Sequence, residues 1–192
     1  LPVDSTTFTR LTWCGKGMHK HCDEGVMKSK MSDALKSRCP ECRQKVPRSV
    51  EEAAKQVRVW VDKDKAWAQK SLANLYAFGR GVPQSYEESI NYLNMAIKQG
   101  DPNAMFELAG MYAQGLGVAQ SFEKASELFT LAANQGHARA QYNLGNAYHS
   151  GGKGVAQSYS KAIELYTLAA NQGFARAQGS LGIFYYNGNG VT

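Results

Sequence analysis

The sequence predicts a mainly α-helical protein, an α/α superhelical solenoid of two-helix repeats with a small zinc-binding module at its N-terminus. Two observations support this fold class. Tyrosines recur at spacings of 36, 36 and 37 residues from Tyr76 onward, each inside a near-copy of one short phrase. All four cysteines, by contrast, fall within the first 42 of the 192 residues, together with two of the four histidines. Periods of this length are typical of stacked helical units.

The composition is that of an ordinary globular chain. Hydrophobic residues make up 43% and charged residues 20%, which excludes wholesale disorder. No apolar run is long enough to cross a bilayer, so we predict no membrane insertion. The net charge of +6 is concentrated in residues 1–65, which hold fourteen Lys and Arg against nine Asp and Glu. No arginine-rich run or aromatic ladder accompanies this charge, so we favour a solvated surface over a nucleic-acid interface.

The N-terminal cysteines favour metal binding over disulfides. Cys39 and Cys42 form a C-x-x-C knuckle, and His19 with Cys22 gives a second pair at the same spacing. Zinc takes four Cys or His ligands in a tetrahedral array, and such pairs supply them. No apolar secretory leader opens the chain, so we expect a reducing intracellular location, cytoplasmic or nuclear. The candidate zinc ligands are Cys14, His19, Cys22, Cys39 and Cys42, with His21 as a further candidate.

Residues 49–65 predict a linking helix. Ser49 is placed to cap it, and Glu51 and Glu52 lie in its first turn, where negative charge is favourable. Apolar residues recur at helical spacing: Val50, Ala53, Ala54, Val57 and Val61. We expect this helix to dock the zinc module onto the first repeat, with Trp60 covering the exposed end of the solenoid.

Each repeat is predicted to begin with a helix that ends in a glycine turn. Ala68, Leu72 and Tyr76 are four residues apart and therefore share one helical face. A small residue follows the leucine in every copy and would let a neighbouring helix approach closely: Ala73, Ala109, Gly145 and Gly182. Gly79 and Gly81 predict the positive φ angles of a sharp turn. Valines are expected to plug the turns: Val82, Val118, Val155 and Val191.

The second helix of each repeat is predicted to begin at a serine N-cap, namely Ser85, Ser121 or Ser158. It is expected to bury two series of residues, Tyr92, Leu128 and Leu165, and Ala96, Ala132 and Ala169. Aromatic residues at equivalent helical positions are interpreted as packing and not as a ligand cage: Phe106, Phe129, Tyr142, Tyr166 and Phe184. His137 and His149 lie near predicted helix ends and are interpreted as ordinary surface residues.

The repeated pattern A-x-x-x-L-[AG]-x-x-Y-x-x-G-x-G-V, followed by K-A-x-x-x-[YF]-x-x-A-A-x-x-G, resembles the Sel1-like repeat, a relative of the tetratricopeptide repeat. The resemblance covers residues 66–192, as units at about 66–100, 101–136 and 137–173 and a partial unit at 174–192. It implies a curved stack whose concave face binds protein partners in adaptors and scaffolds, with no catalytic side chains of its own.

Residues 1–48 resemble the second half of a RING zinc finger. The resemblance implies two interleaved zinc sites. His19 and Cys22 would complete the first, whose other cysteine pair we expect upstream of Leu1 in a longer protein. The second site would use Cys14, Cys39 and Cys42. Its usual histidine position falls on Lys16, so the fourth ligand of this site stays open.

The RING resemblance also implies a function, because RING proteins act as ubiquitin ligases by positioning a ubiquitin-conjugating enzyme. Pro40 occupies the knuckle position that contacts this enzyme. Arg43 follows the last cysteine, where such ligases carry a cationic residue that bridges enzyme and ubiquitin. Two hypotheses therefore remain. The chain is either a RING-type ligase whose repeats recruit partners, or a non-enzymatic scaffold with a purely structural zinc module.

Overall fold

The computed structural model describes residues 12–14, 17–19, 47, 49–151 and 155–188. Two short strands, β1 (Thr12–Cys14) and β2 (Gly17–His19), pair antiparallel with Thr12 opposite His19. The helices that follow are α1 Val50–Val61, α2 Ala66–Phe78, α3 Tyr86–Lys98, α4 Pro102–Gln114, α5 Phe122–Asn134, α6 Ala138–Ser150, α7 Tyr159–Asn171 and α8 Ala175–Tyr186. The chain divides into two compact units, Leu1–Ala96 and Ile97–Thr192.

Helix α1 lies within residues 49–65, where the sequence predicts a linking helix. The Ser49 hydroxyl accepts a hydrogen bond from the Glu52 backbone N–H at 3.2 Å, so this serine is the N-cap. Ala54 and Val57 are buried in one cluster with residues of α2, and the Trp60 ring centroid lies 6.1 Å from that of Trp67. The helix therefore packs on the first repeat as predicted. The expected contact with the zinc module lies outside the described residues.

The turn between α2 and α3 has the predicted glycine geometry. Gly79 and Gly81 have φ angles of 63° and 69°, which L side chains rarely adopt. A Cβ placed on Gly81 would overlap the Val50 carbonyl group, so the absence of a side chain lets the start of α1 lie directly on this turn. Nearby, the Tyr76 and Tyr92 rings stack with their centroids 5.7 Å apart.

The connections between the two helices of one repeat, α2–α3, α4–α5 and α6–α7, share two kinds of hydrogen bond. The serine hydroxyls accept the N–H three residues later, as predicted: Ser85 from Glu88, Ser121 from Lys124 and Ser158 from Lys161. The glutamine before each serine donates its side-chain amide to a carbonyl near the end of the preceding helix: Gln84 to Ala77, Gln120 to Ala113 and Gln157 to His149, at 2.8, 2.8 and 2.9 Å. These glutamine bonds satisfy carbonyls that a helix end leaves open, and sequence analysis did not predict them.

The unit that begins at Ile97 is built from helices that pack on their sequence neighbours. Ala132 and Ala169 are fully buried, as predicted, and a small side chain there allows close helix approach. Leu128 and Leu165 are half-buried, less than predicted. The fold class is therefore confirmed: the protein is mainly helical and built from the two-helix repeats of a solenoid.

Candidate functional site

Helices α4, α5 and α6 line a cleft of about 540 Å³ in the second compact unit. Phe106 and Leu144 are buried in its lining, whereas Phe122 is 40% exposed on its wall. Polar side chains complete the lining: Glu107, Gln114, Arg139, Asn143 and Asn146. Ligand pockets typically have volumes of roughly 300 to 1,000 Å³, and the volume of this cleft lies in that range, although six of its fourteen lining residues are polar.

Phe106 is the most heavily contacted aromatic ring of the cleft. The Phe129 ring lies 5.5 Å away, the His137 ring stacks at 4.8 Å, and the Arg139 guanidinium lies 4.7 Å above the ring. His137 also accepts the Ala140 backbone N–H on Nδ1 at 3.1 Å, which caps α6. The packing interpretation of Phe106 and Phe129 is confirmed. His137, interpreted as an ordinary surface residue, instead caps a helix and holds an aromatic wall.

Ser126 is one of the polar residues of the lining. It is only 9% exposed, and its Oγ is buried with no hydrogen-bond partner among the residues that the structure describes. A buried hydroxyl without a partner costs about 1–3 kcal/mol.

The cleft is open because small residues stand where the next repeat carries large ones. The second repeat is formed by α4 and α5, and the third by α6 and α7. One extra residue in the third repeat makes equivalent positions 36 residues apart before that loop and 37 after it. Three equivalent positions differ in side-chain size between one repeat and the next: Gly110 corresponds to Asn146, Ala113 to His149, and Ala147 to Phe184. All three small residues line the cleft.

The equivalent space one repeat later is filled by Phe184, which is 2% exposed. Its ring contacts His149 at 4.7 Å, Tyr166 at 5.6 Å and Tyr159 at 5.8 Å between centroids, in edge-to-face geometry. The residues equivalent to Tyr159 and Tyr166 are Phe122 and Phe129, which both line the open cleft. One repeat therefore shows an aromatic plug in place, and the preceding repeat shows the same socket without it.

Tyr166 is held more tightly than its counterpart Phe129. Its hydroxyl donates to Asn146 Oδ1 at 2.7 Å, a bond that Phe129 and Gly110 cannot form in the second repeat. A Cβ on Gly145 would lie 2.8 Å from Tyr166 Cε1, so the predicted close approach at this small residue is confirmed. Burial, with a smaller contribution from Tyr142, raises the pKa of Tyr166 to about 12.

The predicted zinc and enzyme-contact residues are placed only in part. Cys14 ends β1 and His19 ends β2, where the backbone alone is described, with Cys14 paired to Gly17. The remaining predicted residues lie outside the described ranges: His21, Cys22, Cys39, Pro40, Cys42 and Arg43. Among the described residues, no group of three or more His, Cys, Asp or Glu side chains is arranged to hold a metal ion.

Comparison with known proteins identifies the repeats. The Sel1 repeat matches residues 68–101, 102–137, 138–174 and 175–192. The chain belongs to the Sel1 repeat family. Sel1 repeats are protein-interaction modules. No helix in the described part of the chain is long and apolar enough to cross a membrane.

Solved structures show the same repeat architecture. A Sel1 repeat protein from Oxalobacter formigenes is 32% identical with a TM-score of 0.71, over 76% of this chain. A protective antigen of uropathogenic Escherichia coli strains that displays an SLR fold is 36% identical with a TM-score of 0.67, over 74% of this chain. The present Sel1 repeat chain spans 59% and 30% of the lengths of these two proteins.

A more distant similarity concerns the fold alone. Helicobacter pylori cysteine rich protein B is 21% identical with a TM-score of 0.57, and the match covers 70% of this chain and 98% of that one. A search of curated proteins found no match.

Proposed function

We propose that this Sel1 repeat protein is an adaptor that holds a protein partner in the cleft of α4, α5 and α6. The observation that carries the proposal is that the buried Phe106 ring lies in one open cleft together with the exposed side chains of Gln114 and Arg139. Protein interfaces share this arrangement, with an apolar centre and a polar rim that excludes water from it.

The lining favours binding over catalysis. It contains one carboxylate, Glu107, and one guanidinium, Arg139, with amides between them. Its hydroxyl nucleophile, Ser126, has no hydrogen bond to a general base among the described residues. Nucleophilic catalysis requires such a base within hydrogen-bonding distance. The cleft therefore suits recognition of a partner and not chemistry on it.

Site-specific cross-linking tests the adaptor proposal. A photoreactive benzoylphenylalanine at Gln114, which is exposed and lines the cleft, should cross-link a partner in cells. The same probe at Glu164, exposed on α7 and outside the cleft lining, is the matched control and should not. The cross-linked protein, identified by mass spectrometry and purified, should then bind the chain in calorimetry. Equal cross-linking from both positions, or no binding by the purified protein, would contradict the proposal.

We also propose that residues 1–48 form a zinc-binding, RING-like module in an intracellular protein. The candidate ligands offer the nitrogen and sulfur atoms that zinc prefers. They are Cys14, His19, Cys22, Cys39 and Cys42, with His21 as a further candidate. Bound zinc would hold these residues together. Elemental analysis of the purified chain tests this: we expect no more than about one zinc per chain, and a purified chain without zinc would contradict the proposal. Chelation should leave the helical circular dichroism of the Sel1 repeats intact, and combined melting of both parts would contradict a separate module.

RING-type ubiquitin ligase activity is a more specific candidate function than zinc binding. Pro40 and Arg43 stand at the positions where the RING resemblance implies contact with a conjugating enzyme and ubiquitin. In vitro ubiquitylation with the full chain and a panel of conjugating enzymes tests it, with Arg43→Ala beside the wild type. We expect the wild type to form ubiquitin chains and the variant to form far fewer. If no conjugating enzyme gives ubiquitin chains, the ligase hypothesis is wrong and the non-enzymatic scaffold with a structural zinc module remains.

A further inference from the structure

We propose that the cleft of α4, α5 and α6 binds an extended segment of the partner polypeptide by its main chain, through the side-chain amides of Asn143 and Asn146. This inference rests on the proposed adaptor function and names the chemical group of the partner that is recognised. Three properties of the cleft support it: buried apolar residues beside polar ones that reach solvent, one asparagine amide held in a fixed orientation, and a single cation in the described lining.

The lining of the cleft combines buried apolar residues with asparagines that reach solvent. Phe106, Leu144 and Ala147 are at most 9% exposed. Asn143 and Asn146 are partly exposed and stand three residues apart on α6, so they share one face of that helix. An extended polypeptide carries its side chains alternately on two faces, and its main-chain N–H and C=O groups remain available for hydrogen bonds to a partner. Such a chain matches both parts of the lining.

The side-chain amide of Asn146 is held at one end and open at the other. The Tyr166 hydroxyl donates to Asn146 Oδ1 at 2.7 Å, whereas Nδ2 has no hydrogen-bond partner among the described residues. This nitrogen is not one of the buried polar atoms without a partner, so it reaches solvent, unlike Ser126 Oγ. A donor that is already held in place loses little side-chain freedom when it binds a carbonyl group. Asn146 is therefore ready to donate to a peptide carbonyl.

Asn143 supplies a second amide one turn earlier on the same helix. Its side-chain oxygen and nitrogen have no hydrogen-bond partner among the described residues and are not buried. A primary amide both donates and accepts, so it can pair with the N–H and C=O groups of a main chain. Cβ atoms three residues apart on a helix are separated by about 5–6 Å. Two residues of an extended chain span about 6.6 Å, so the two asparagines can reach main-chain groups two residues apart.

The same lining disfavours two other occupants. The main-chain groups of an α-helix are bonded to one another, so a docked helix would leave both asparagine amides without main-chain partners. A nucleic acid strand is held by several cations at its phosphates, whereas Arg139 is the one cation among the described lining residues and Glu107 opposes its charge. The polar groups of the cleft are thus best matched by an extended, uncharged stretch of polypeptide.

The first experiment compares a short peptide with its N-methylated form. The probe is the blocked pentapeptide Ser-Ala-Leu-Ala-Ser, which is too short to form a stable helix, titrated into the ¹⁵N-labelled full chain. We expect it to shift the amide signals of Gly110, Asn143 and Asn146. Methylation of the leucine and alanine nitrogens keeps the side chains and removes main-chain donors, so it should weaken binding about fivefold or more. Equal binding of both peptides, binding of neither, or shifts located elsewhere would overturn the proposal.

The second experiment changes the two asparagines. Asn146→Asp keeps an oxygen that accepts the Tyr166 hydroxyl and removes the nitrogen that donates to the ligand. Its affinity for the unmethylated pentapeptide should fall about fivefold while the melting temperature of the helices is kept. Asn143→Leu removes the other amide with little change in shape and should have a similar effect. Asn171→Asp, exposed at the end of α7 and outside the cleft lining, is the matched control and should bind normally. Normal binding by both folded cleft variants would overturn the proposal.

The outcomes separate this inference from the adaptor proposal. A cross-linked partner that binds the wild type and both folded cleft variants equally would keep the adaptor and overturn main-chain recognition. A cross-link that maps to a helical segment of the partner would have the same meaning. Binding of the pentapeptide through the two asparagines, without any cross-linked partner, would support main-chain recognition and contradict the adaptor. A cross-link to a second copy of the chain would overturn both proposals, because the occupant is then not an outside partner.

Discussion

The second and third Sel1 repeats place their helices by the same contacts and differ in what fills the space between them. Both have a serine-capped second helix and a glutamine bond that closes the turn. Tyr166 and Asn146 of the third repeat, together with Phe184 of the following helix α8, fill the space there. In the second repeat Phe129 and Gly110 stand at the first two places, and Ala147 of the following helix α6 stands at the third. Positions shared by all repeats therefore build the fold, and departures from the repeat pattern open the cleft.

Removal of the plug should produce the largest effect and make the third repeat resemble the second. Phe184→Ala leaves a cavity between Tyr159, Tyr166 and His149, and buried Phe to Ala changes typically cost about 3–5 kcal/mol. The measurement is the free energy of unfolding from denaturant titration. Tyr186→Ala, on the same helix but 91% exposed, is the control and should change it by less than about 0.5 kcal/mol. A loss below 1 kcal/mol for Phe184→Ala would mean that the plug is not a packing element.

Two glycine substitutions should have opposite signs in the two repeats. Gly145→Ala places a Cβ 2.8 Å from Tyr166 Cε1, and overpacking of this kind costs roughly 1–3 kcal/mol. Gly110→Ala meets only the Gln114 side-chain amide at 3.9 Å, so the higher helix propensity of alanine should stabilise the protein by about 0.5–1 kcal/mol. Thermal unfolding of both variants checks the contrast. The same sign in both would show that the close packing around Tyr166 does not distinguish the repeats.

The two repeats should also differ at high pH. Burial raises the pKa of Tyr166 to about 12 from an ordinary value of 10.0. The unfolded chain releases this proton near pH 10 while the folded chain retains it, so stability is complete below pH 10 and falls as pH rises toward 12. The slope attributable to one such group is about 1.4 kcal/mol per pH unit. The test is the stability difference between wild type and Tyr166→Phe across this window, and a difference that does not shrink with rising pH would contradict the assignment.

The smallest effect concerns the Tyr166 hydroxyl itself at neutral pH. Tyr166→Phe removes the 2.7 Å bond to Asn146 Oδ1 and should cost about 0.5–1.5 kcal/mol. The reciprocal change Phe129→Tyr adds a hydroxyl where Gly110 offers no side-chain acceptor, and we expect no gain in stability. Denaturant titrations of both variants sharpen the comparison. A stabilising Phe129→Tyr would show that the second repeat can form an equivalent bond in another way.

Sequence periodicity was sufficient for the helices, the serine caps of the second helices and the buried alanines, because each of these recurs in the three complete repeats. The cap at His137 does not recur and was missed. Periodicity could not reveal the cleft, because a cleft depends on atoms that are missing at Gly110, Ala113 and Ala147 and on the orientation of the rings around them. Among the repeats only Gly110 and Ala147 are unusually small, because the first repeat carries Ala77 at the position of Ala113. The zinc ligands, including Cys39 and Cys42, stay a prediction from spacing because they lie outside the described residues.

The glutamine and serine bonds at each turn have a consequence for how such proteins change in length. The connection between α6 and α7 holds one more residue than the other two. Even so, the Gln157 side chain still donates to the His149 carbonyl, and the Ser158 backbone N–H still donates to the Tyr148 carbonyl at 2.8 Å. Each turn is thus closed by hydrogen bonds between residues of its own repeat, so these bonds do not depend on which repeat stands next in the chain. Duplication or deletion of one repeat would add or remove an aromatic socket, while the hydrogen bonds at every remaining turn are kept.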